Sequence, residues 1–198
     1  MSWRPTHKLS ILIPSLNERN VKLENLKSEL NQQIDRKSVQ IISMVDDRQL
    51  SIGQKRNMLL NQSSGEYVAF IDDDDLISKD YIEKVLNGVK NNPSCSSLTG
   101  RIIFSDGYSR SFIHSLKYDR WIDDHESKVY YRPPNHLNAV KRDIAKAVGF
   151  PSINVGEDRY FSMGIKSLLK KEEWIDGVIY QYMCSKTFEE THNNQVVR

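Results

Sequence analysis

The sequence predicts an α/β fold: a parallel sheet with helices on its faces, continued by a mixed second half. Three observations carry this expectation. From residue 8 to residue 89, β-rich apolar runs alternate three times with stretches of helical periodicity, the pattern of strands joined by crossover helices. Each apolar run ends in a polar cluster, "PSLNER" (14–19), "DDR" (46–48) and "DDDD" (72–75), and in parallel sheets ligands bind outside the carboxyl ends of the strands. Beyond residue 95 the alternation gives way to a hairpin pattern and to isolated short strands and helices.

The elements follow in order. "KLSILIP" (8–14), an apolar run closed by proline, reads as a buried strand. Val21, Leu23, Leu26 and Leu30 recur at mostly helical spacing and predict a helix over about 20–34. "VQIISMV" (39–45) is a second strand, ending at Asp46-Asp47, and "SIGQKRNMLLNQSSG" (51–65) a helix opened by Ser51 and closed near Gly65. "EYVAFI" (66–71) is the third strand and delivers the four aspartates. Ser78 is expected to cap a helix whose Ile82, Val85, Leu86 and Val89 share a face. In the second half, residues 97–114 predict a hairpin turning at Asp106-Gly107. Residues 128–132 and 177–183 predict strands, and 141–149 and 156–169 predict helices, the first stopped by Gly149 and Pro151.

Bulk composition sets limits. The chain has 198 residues, 38% hydrophobic and 27% charged, an ordinary globular balance for a single domain. No apolar run reaches the roughly 20 residues of a membrane span, and the N-terminus lacks the features of a signal peptide. Cys95 and Cys184 are the two cysteines, which argues against a disulfide framework or a cysteine zinc site. The expectation is a soluble cytoplasmic protein. With 28 basic and 26 acidic residues and a net charge of +2, nothing points to a nucleic-acid partner.

Four adjacent carboxylates directly after the buried run "YVAFI" repel one another, and the lower dielectric at the mouth of a sheet raises that repulsion. A divalent cation removes it, and a purely oxygen donor set suits Mg²⁺ or Mn²⁺. Asp72 and Asp74, two apart, point the same way in an extended turn; Asp73 and Asp75 face elsewhere.

"LSILIPSLNER", "MVDDR", "GQKRNMLLNQSSGEYVAFIDDDDLIS" and "GEDRYFSMGI", in this order and spacing, resemble the successive landmarks of GT-A glycosyltransferases of the family 2-like group, from about residue 8 to residue 183. The resemblance implies a single domain with a GT-A, Rossmann-like mixed sheet and flanking helices. About 8–95 would form its nucleotide-binding half and about 96–198 its acceptor-binding half. It implies transfer of a sugar from a nucleotide-sugar donor, a UDP-sugar by expectation, to a glycan or other hydroxyl acceptor. Asp72 and Asp74 match the D-x-D that holds the metal and diphosphate, with Asp72 nearer the ribose; Asp73 is counted with the nucleotide side. Pro14, Ser15 and Glu18 match the segment lining the nucleoside pocket. Asp46 or Asp47 matches the aspartate facing the base, a choice left open. Arg56, with Lys55 as a second cation, matches the arginine facing the nucleotide. Glu157 and Asp158 match the E-D motif, whose aspartate is the general base, and the resemblance therefore implies inversion at the anomeric carbon. His136 and Asn138 match the acceptor side, as contacts to acceptor or donor sugar. Many relatives add a C-terminal histidine as a third metal ligand, and His192 is the candidate here. Many also carry a hydrophobic C-terminal extension; the chain stops at residue 198 without one, which argues against processive synthesis across a membrane.

Two rival readings exist. Sugar-1-phosphate nucleotidyltransferases open with a Gly-rich phosphate loop, and "IPSLNERNVK" contains no glycine. A non-catalytic binding module for a nucleotide-sugar or divalent metal would not need both the D-x-D and the E-D motif.

Overall fold

The computed structural model describes residues 5–34 and 38–193. The first half runs β1 (His7–Leu16), α1 (Asn20–Gln33), β2 (Val39–Asp46), α2 (Ile52–Gln62), β3 (Gly65–Phe70), β4 (Leu76–Ile77) and α3 (Tyr81–Gly88). The second runs β5 (Cys95–Ser96), β6 (Leu98–Ile103), β7 (Ser109–His114), β8 (Ile122–Asp124), β9 (Val129–Arg132) and β10 (Val140–Lys141). It closes with α4 (Arg142–Val148), α5 (Glu157–Lys166), β11 (Glu172–Glu173), β12 (Tyr180–Met183) and α6 (Phe188–Asn193).

Among the described residues the strands form two six-stranded sheets, ordered β11-β5-β10-β3-β1-β2 and β4-β12-β6-β7-β9-β8. β1 pairs in parallel with β2, from Leu9↔Val39 to Leu16↔Asp46, and with β3. The pairing with β3 ends at Leu12↔Phe70, so Pro14, which has no N–H, sits where β1 has a neighbour on one side only.

Helices cover both faces of this sheet, which is why its strands read as continuous apolar runs. Leu9, Ile11 and Ile13 of β1 and Tyr67 and Ala69 of β3 pack with α1 and α3; Leu12, Val68 and Phe70 pack on the other face with α2, α4 and α5. α1 buries Leu23, Leu26 and Leu30, whereas Val21 is 76% exposed. Two residues before Leu23, it lies on the opposite side of the helix.

The first sheet is mixed rather than purely parallel. β10 enters it antiparallel between β3 and β5, so the second half of the chain completes the sheet that the first half begins. The expected hairpin forms between β6 and β7, with Ile103 opposite Ser109 and the Gly107 N–H on the Phe104 carbonyl at 2.9 Å. No helix among the described residues is long and apolar enough to cross a membrane.

Ser51 caps α2 through a full capping box with Gln54. Ser78 does not cap α3: Asp80 holds the N-cap position without a side-chain bond. Ser78 instead stands just past β4, its N–H on the Ile179 carbonyl and its own carbonyl accepting from the Tyr81 N–H at 3.1 Å. Pairing of β4 with β12 sets that geometry and leaves two residues between Ser78 and the helix.

The aspartate run therefore occupies a junction. It leaves β3 in the first sheet and enters β4 at the edge of the second.

Candidate active site

The three strand-end clusters do meet. A cleft of about 660 Å³ is lined by Pro14, Ser15, Lys55, Arg56, Asp72, Asp73 and Asp74. The repulsion expected among the aspartates is met here by protein cations. Asp73, 3% exposed, accepts from Ser15 Oγ at 2.6 Å and Arg19 Nη1 at 2.9 Å. Arg19 also reaches Asp74 at 3.0 Å, with Lys22 at 4.0 Å. Asp72 lies 2.9 Å from Arg56 Nη2.

Asp75 faces away from the cleft: it accepts from Tyr180 Oη at 2.6 Å and the Met183 N–H at 2.8 Å, and Tyr180 Oη in turn takes the Asp72 N–H. This chain ties the run to β12. Burial, then the neighbouring Asp72 charge, raises the Asp75 carboxyl far above the usual range.

The other selected residues divide into two groups. Lys55 donates to Asp46 Oδ1 at 2.6 Å and to the Ser15 carbonyl at 2.8 Å. Burial opposes ionisation of Asp46, yet Lys55 and the Leu50 N–H hold it below its ordinary value. Asp47 accepts from Asn17 Nδ2 at 2.7 Å, and Glu18 pairs with Arg48 in solvent. Asp46, Asp47 and Glu18 are not part of the cleft lining, whereas Arg19, Lys22 and Arg48 are. Those three cations were not singled out from the sequence. A usable signal existed for two of them: Arg19 and Arg48 lie within the same short strand-end segments as the acidic residues that were selected, whereas Lys22 stands in the first turn of α1.

A second cleft, of about 530 Å³, adjoins the first and shares Arg56, Asp72 and Glu157 with it; Asp158 and His136 line only the second. Arg56 is the pivot. At 2% exposure, it pairs with Asp72 of the aspartate run and with Glu157 of α5, and its guanidinium lies 5.8 Å and 5.6 Å from the rings of Phe70 and Phe150. Burial works against both charges of the Arg56–Glu157 pair. Arg56 is nevertheless held above its ordinary value by Asp72 and Glu157, while the Glu157 carboxyl sits above its own. Asp158, next in α5, has no hydrogen bond or ion pair among the described residues. Both carboxylates stand in the first turn of a ten-residue helix, where the helix dipole favours negative charge.

Two local features aim that helix. Gly156, its N-cap, has φ +85°, a conformation other residues adopt at a cost. A Cβ on Gly53 of α2 would lie 1.8 Å from the Pro151 carbonyl oxygen, so only glycine lets the 151–156 loop lie against α2.

Asn138 is a correction to expectation. It is fully buried; its Oδ1 takes the Asn135 N–H at 2.9 Å and faces His114 Nδ1 at 3.2 Å, and its Nδ2 donates to the Ser96 carbonyl at 2.9 Å. It shapes the 135–138 turn, both of its polar atoms are engaged within the fold, and it lines neither cleft. His136, on that turn, lines the second cleft. The side chain of His192 lies outside the described residues.

Among the described residues no group of three or more His, Cys, Asp or Glu side chains surrounds a cation position. A magnesium-like ion needs no such cage, since it is held by one or two carboxylates together with waters and substrate phosphates. Asp72 and Asp74, side chains 26% exposed in the same cleft, fit that donor set. Burial raises the Asp74 carboxyl, Arg19 opposes this, and the charges of Asp73 and Asp72 add to it.

The model of the family "Glycosyl transferase family 2" matches residues 45–155. "Glycosyltransferase GlyA" of Streptococcus pneumoniae is 23% identical over 90% of this chain and 31% of its own length. "Poly(ribitol-phosphate) beta-glucosyltransferase" of Bacillus spizizenii is 26% identical over 92% of this chain and 33% of its own. The chain thus spans about a third of these relatives. Among solved structures, S. aureus TarS 1-349 in complex with UDP superposes with a TM-score of 0.68 at 15% identity, covering 90% of this chain and 61% of that one. The same protein in complex with UDP-GlcNAc gives 0.66 at 14%, covering 93% of this chain and 60% of that one. At such identity the likeness concerns the fold, which is GT-A. The family match spans more than half of the chain, from the end of β2 to the loop before α5, and the chain belongs to glycosyl transferase family 2.

Proposed function

We propose that the chain is a metal-dependent glycosyltransferase that moves a sugar from a UDP-sugar to an acceptor hydroxyl with inversion, Asp158 being the base. The observation that carries this reading is the meeting of two clefts at Asp72, Arg56 and Glu157, with Asp158 on the second cleft only. The first cleft gathers the cations Arg19, Lys22, Arg48, Lys55 and Arg56, a setting for a diphosphate. The complexes of TarS with UDP and UDP-GlcNAc support the choice of nucleotide.

Asp72 and Asp74 would hold Mg²⁺ or Mn²⁺, which supplies positive charge where the leaving diphosphate becomes more negative. The remaining chemistry falls to the chain. Pro14, Ser15 and Lys55 border the nucleoside end of the first cleft. Arg56 pairs with both Asp72 and Glu157 and so fixes α5 against the donor side. The Asp158 carboxylate, without a hydrogen-bond or ion-pair partner among the described residues, takes the acceptor proton as that oxygen bonds to the anomeric carbon and the sugar–phosphate electrons leave with UDP. One base and one displacement invert the centre.

The test is UDP release from a panel of nucleotide-sugars, with Mn²⁺ or EDTA. We expect UDP-sugars to be turned over in Mn²⁺ only, and UDP to raise the melting temperature more in Mn²⁺ than in EDTA. Asp74→Ala should erase that difference and stay folded; a shift in Asp74→Ala equal to wild type sinks the metal assignment.

A further inference from the structure

We infer that the second cleft accepts an uncharged carbohydrate ring, one of whose hydroxyls pairs with the His136 imidazole. This rests on the transferase reading and names its acceptor class.

His136 is 6% exposed, and among the described residues neither ring nitrogen has a hydrogen-bond partner. Its buried neighbour His114, by contrast, is satisfied by Asn138. A buried polar group left unpaired is costly, and this one lines a cleft rather than a closed core. It is the kind of group that a ligand completes.

The chemistry of the partner follows from the charge of the ring and of its surroundings. Burial beside the Arg56 cation keeps His136 neutral. A neutral imidazole donates from one nitrogen and accepts at the other, which matches a hydroxyl, itself both donor and acceptor. A phosphate or carboxylate only accepts, and is recognised by cations. The cations of the second cleft are largely committed. Arg56 is held by Asp72 and Glu157. Arg132 is held by Asp123 and by the Ile122 and Tyr131 carbonyls. Lys186 is the lining cation that no carboxylate approaches at ion-pair distance among the described residues. An anionic acceptor would meet one lysine and the unpaired Asp158 carboxylate.

The walls favour a ring. Tyr182, 40% exposed at the junction of the two clefts, and the buried Phe112, Tyr130 and Leu137 present apolar surface to the C–H faces of a sugar. The two linings differ in charge in the same sense as the two substrates would: five cations face four carboxylates in the first cleft, and three face four in the second.

The experiment is saturation-transfer difference NMR in the presence of UDP. Its probes are methyl glucoside, methyl galactoside and methyl N-acetylglucosaminide against glycerol 3-phosphate and ribitol 5-phosphate. We expect contact with at least one glycoside in the wild type, at least tenfold weaker affinity in His136→Phe, and partial recovery in His136→Gln. The melting temperature of His136→Phe should be at or above wild type, because an unpaired buried group is removed, and its UDP-induced shift should persist. Three results overturn the inference: tighter binding of either phosphate probe, no glycoside contact in a wild type that binds UDP, or undiminished contact in His136→Phe. Glycoside contact that depends on His136 in a protein with no response to UDP would support the carbohydrate site and overturn the donor reading instead.

Discussion

At the scale of residues, adjacent side chains in one helix turn have opposite assignments because of what touches them. Glu157 is buried against Arg56, so its charge is spent on position; Asp158 lines the second cleft, with no hydrogen bond or ion pair among the described residues. An acceptor hydroxyl is a poor nucleophile near neutral pH and needs such a carboxylate within reach. Asp158→Asn keeps the shape and removes the proposed base. Steady-state kinetics should show kcat lower by roughly 10²–10⁴-fold with donor affinity nearly constant, and wild-type product should carry the inverted configuration. Near-normal turnover in Asp158→Asn, or a retained product, would return this residue to the role of a helix-start carboxylate.

At the scale of elements, α5 reaches the site because α2 lets the 151–156 loop come close. Gly53 N–H donates to the Ile153 carbonyl at 3.2 Å, and the Asn57 side chain both donates to the Phe150 carbonyl and accepts its N–H, at 2.8 and 2.9 Å. A methyl at Gly53 has backbone, not a flexible side chain, in its way. Gly53→Ala should therefore push the loop outward, at a cost of about 1–3 kcal/mol in denaturant unfolding, the range for overpacking. It should also lower kcat more than it weakens UDP binding, because the displaced loop leads into Asp158, while Arg19, Lys22 and Arg48 of the first cleft lie outside both α2 and the loop. A variant with wild-type stability and kcat would show that the loop has slack.

At the scale of the whole molecule, buried titrating groups oppose one another across pH. Burial, then Asp72, pushes the Asp75 carboxyl up to about 8. Between about pH 4 and 8 the folded chain keeps a proton that the unfolded chain has released, so stability falls as pH rises through that range. Burial, with Arg132, pushes the His114 imidazole down to about 3, and His136 is lowered in the same direction. Below about pH 6.5 the unfolded imidazoles take up protons that the folded ones refuse, so stability falls as pH drops. Between about pH 5 and 6.5 the two imidazoles outweigh Asp75, each group contributing at most about 1.4 kcal/mol per pH unit; Asp74 and Glu157, also raised, act in the same sense as Asp75 nearer the ordinary carboxylate range, where the lowered Asp46 opposes them. The melting temperature should peak near pH 6.5. Asp75→Asn should flatten the decline from about pH 6.5 to 8 and leave the acid limb intact. A wild-type melting temperature that climbs through that interval would refute this account of Asp75.

What the sequence determined by itself is local. The β1, β2 and β3 runs, the Ser51 cap of α2, the β6–β7 turn at Gly107 and the carboxylates opening α5 were all legible, because periodicity, capping and turn chemistry act over a few residues. The polar strand ends also announced the first cleft. What only the tertiary structure decided lies between distant positions. β5, β10 and β11 are two-residue strands, too short to have a period, and exist because a neighbouring strand pairs with them. Arg19 lies 54 residues from its partner Asp73, and Arg56 lies 101 from Glu157. Asn138 read as a ligand contact and turned out to hold a turn together, since nothing in its own segment shows that Ser96 and His114 would occupy its amide. Ser78 lost the α3 cap to the pairing of β4 with β12. In each case a hydrogen bond or ion pair across the fold chose among conformations and partners that the local sequence leaves equally open, because burial strengthens such contacts only once the two sheets have closed around them.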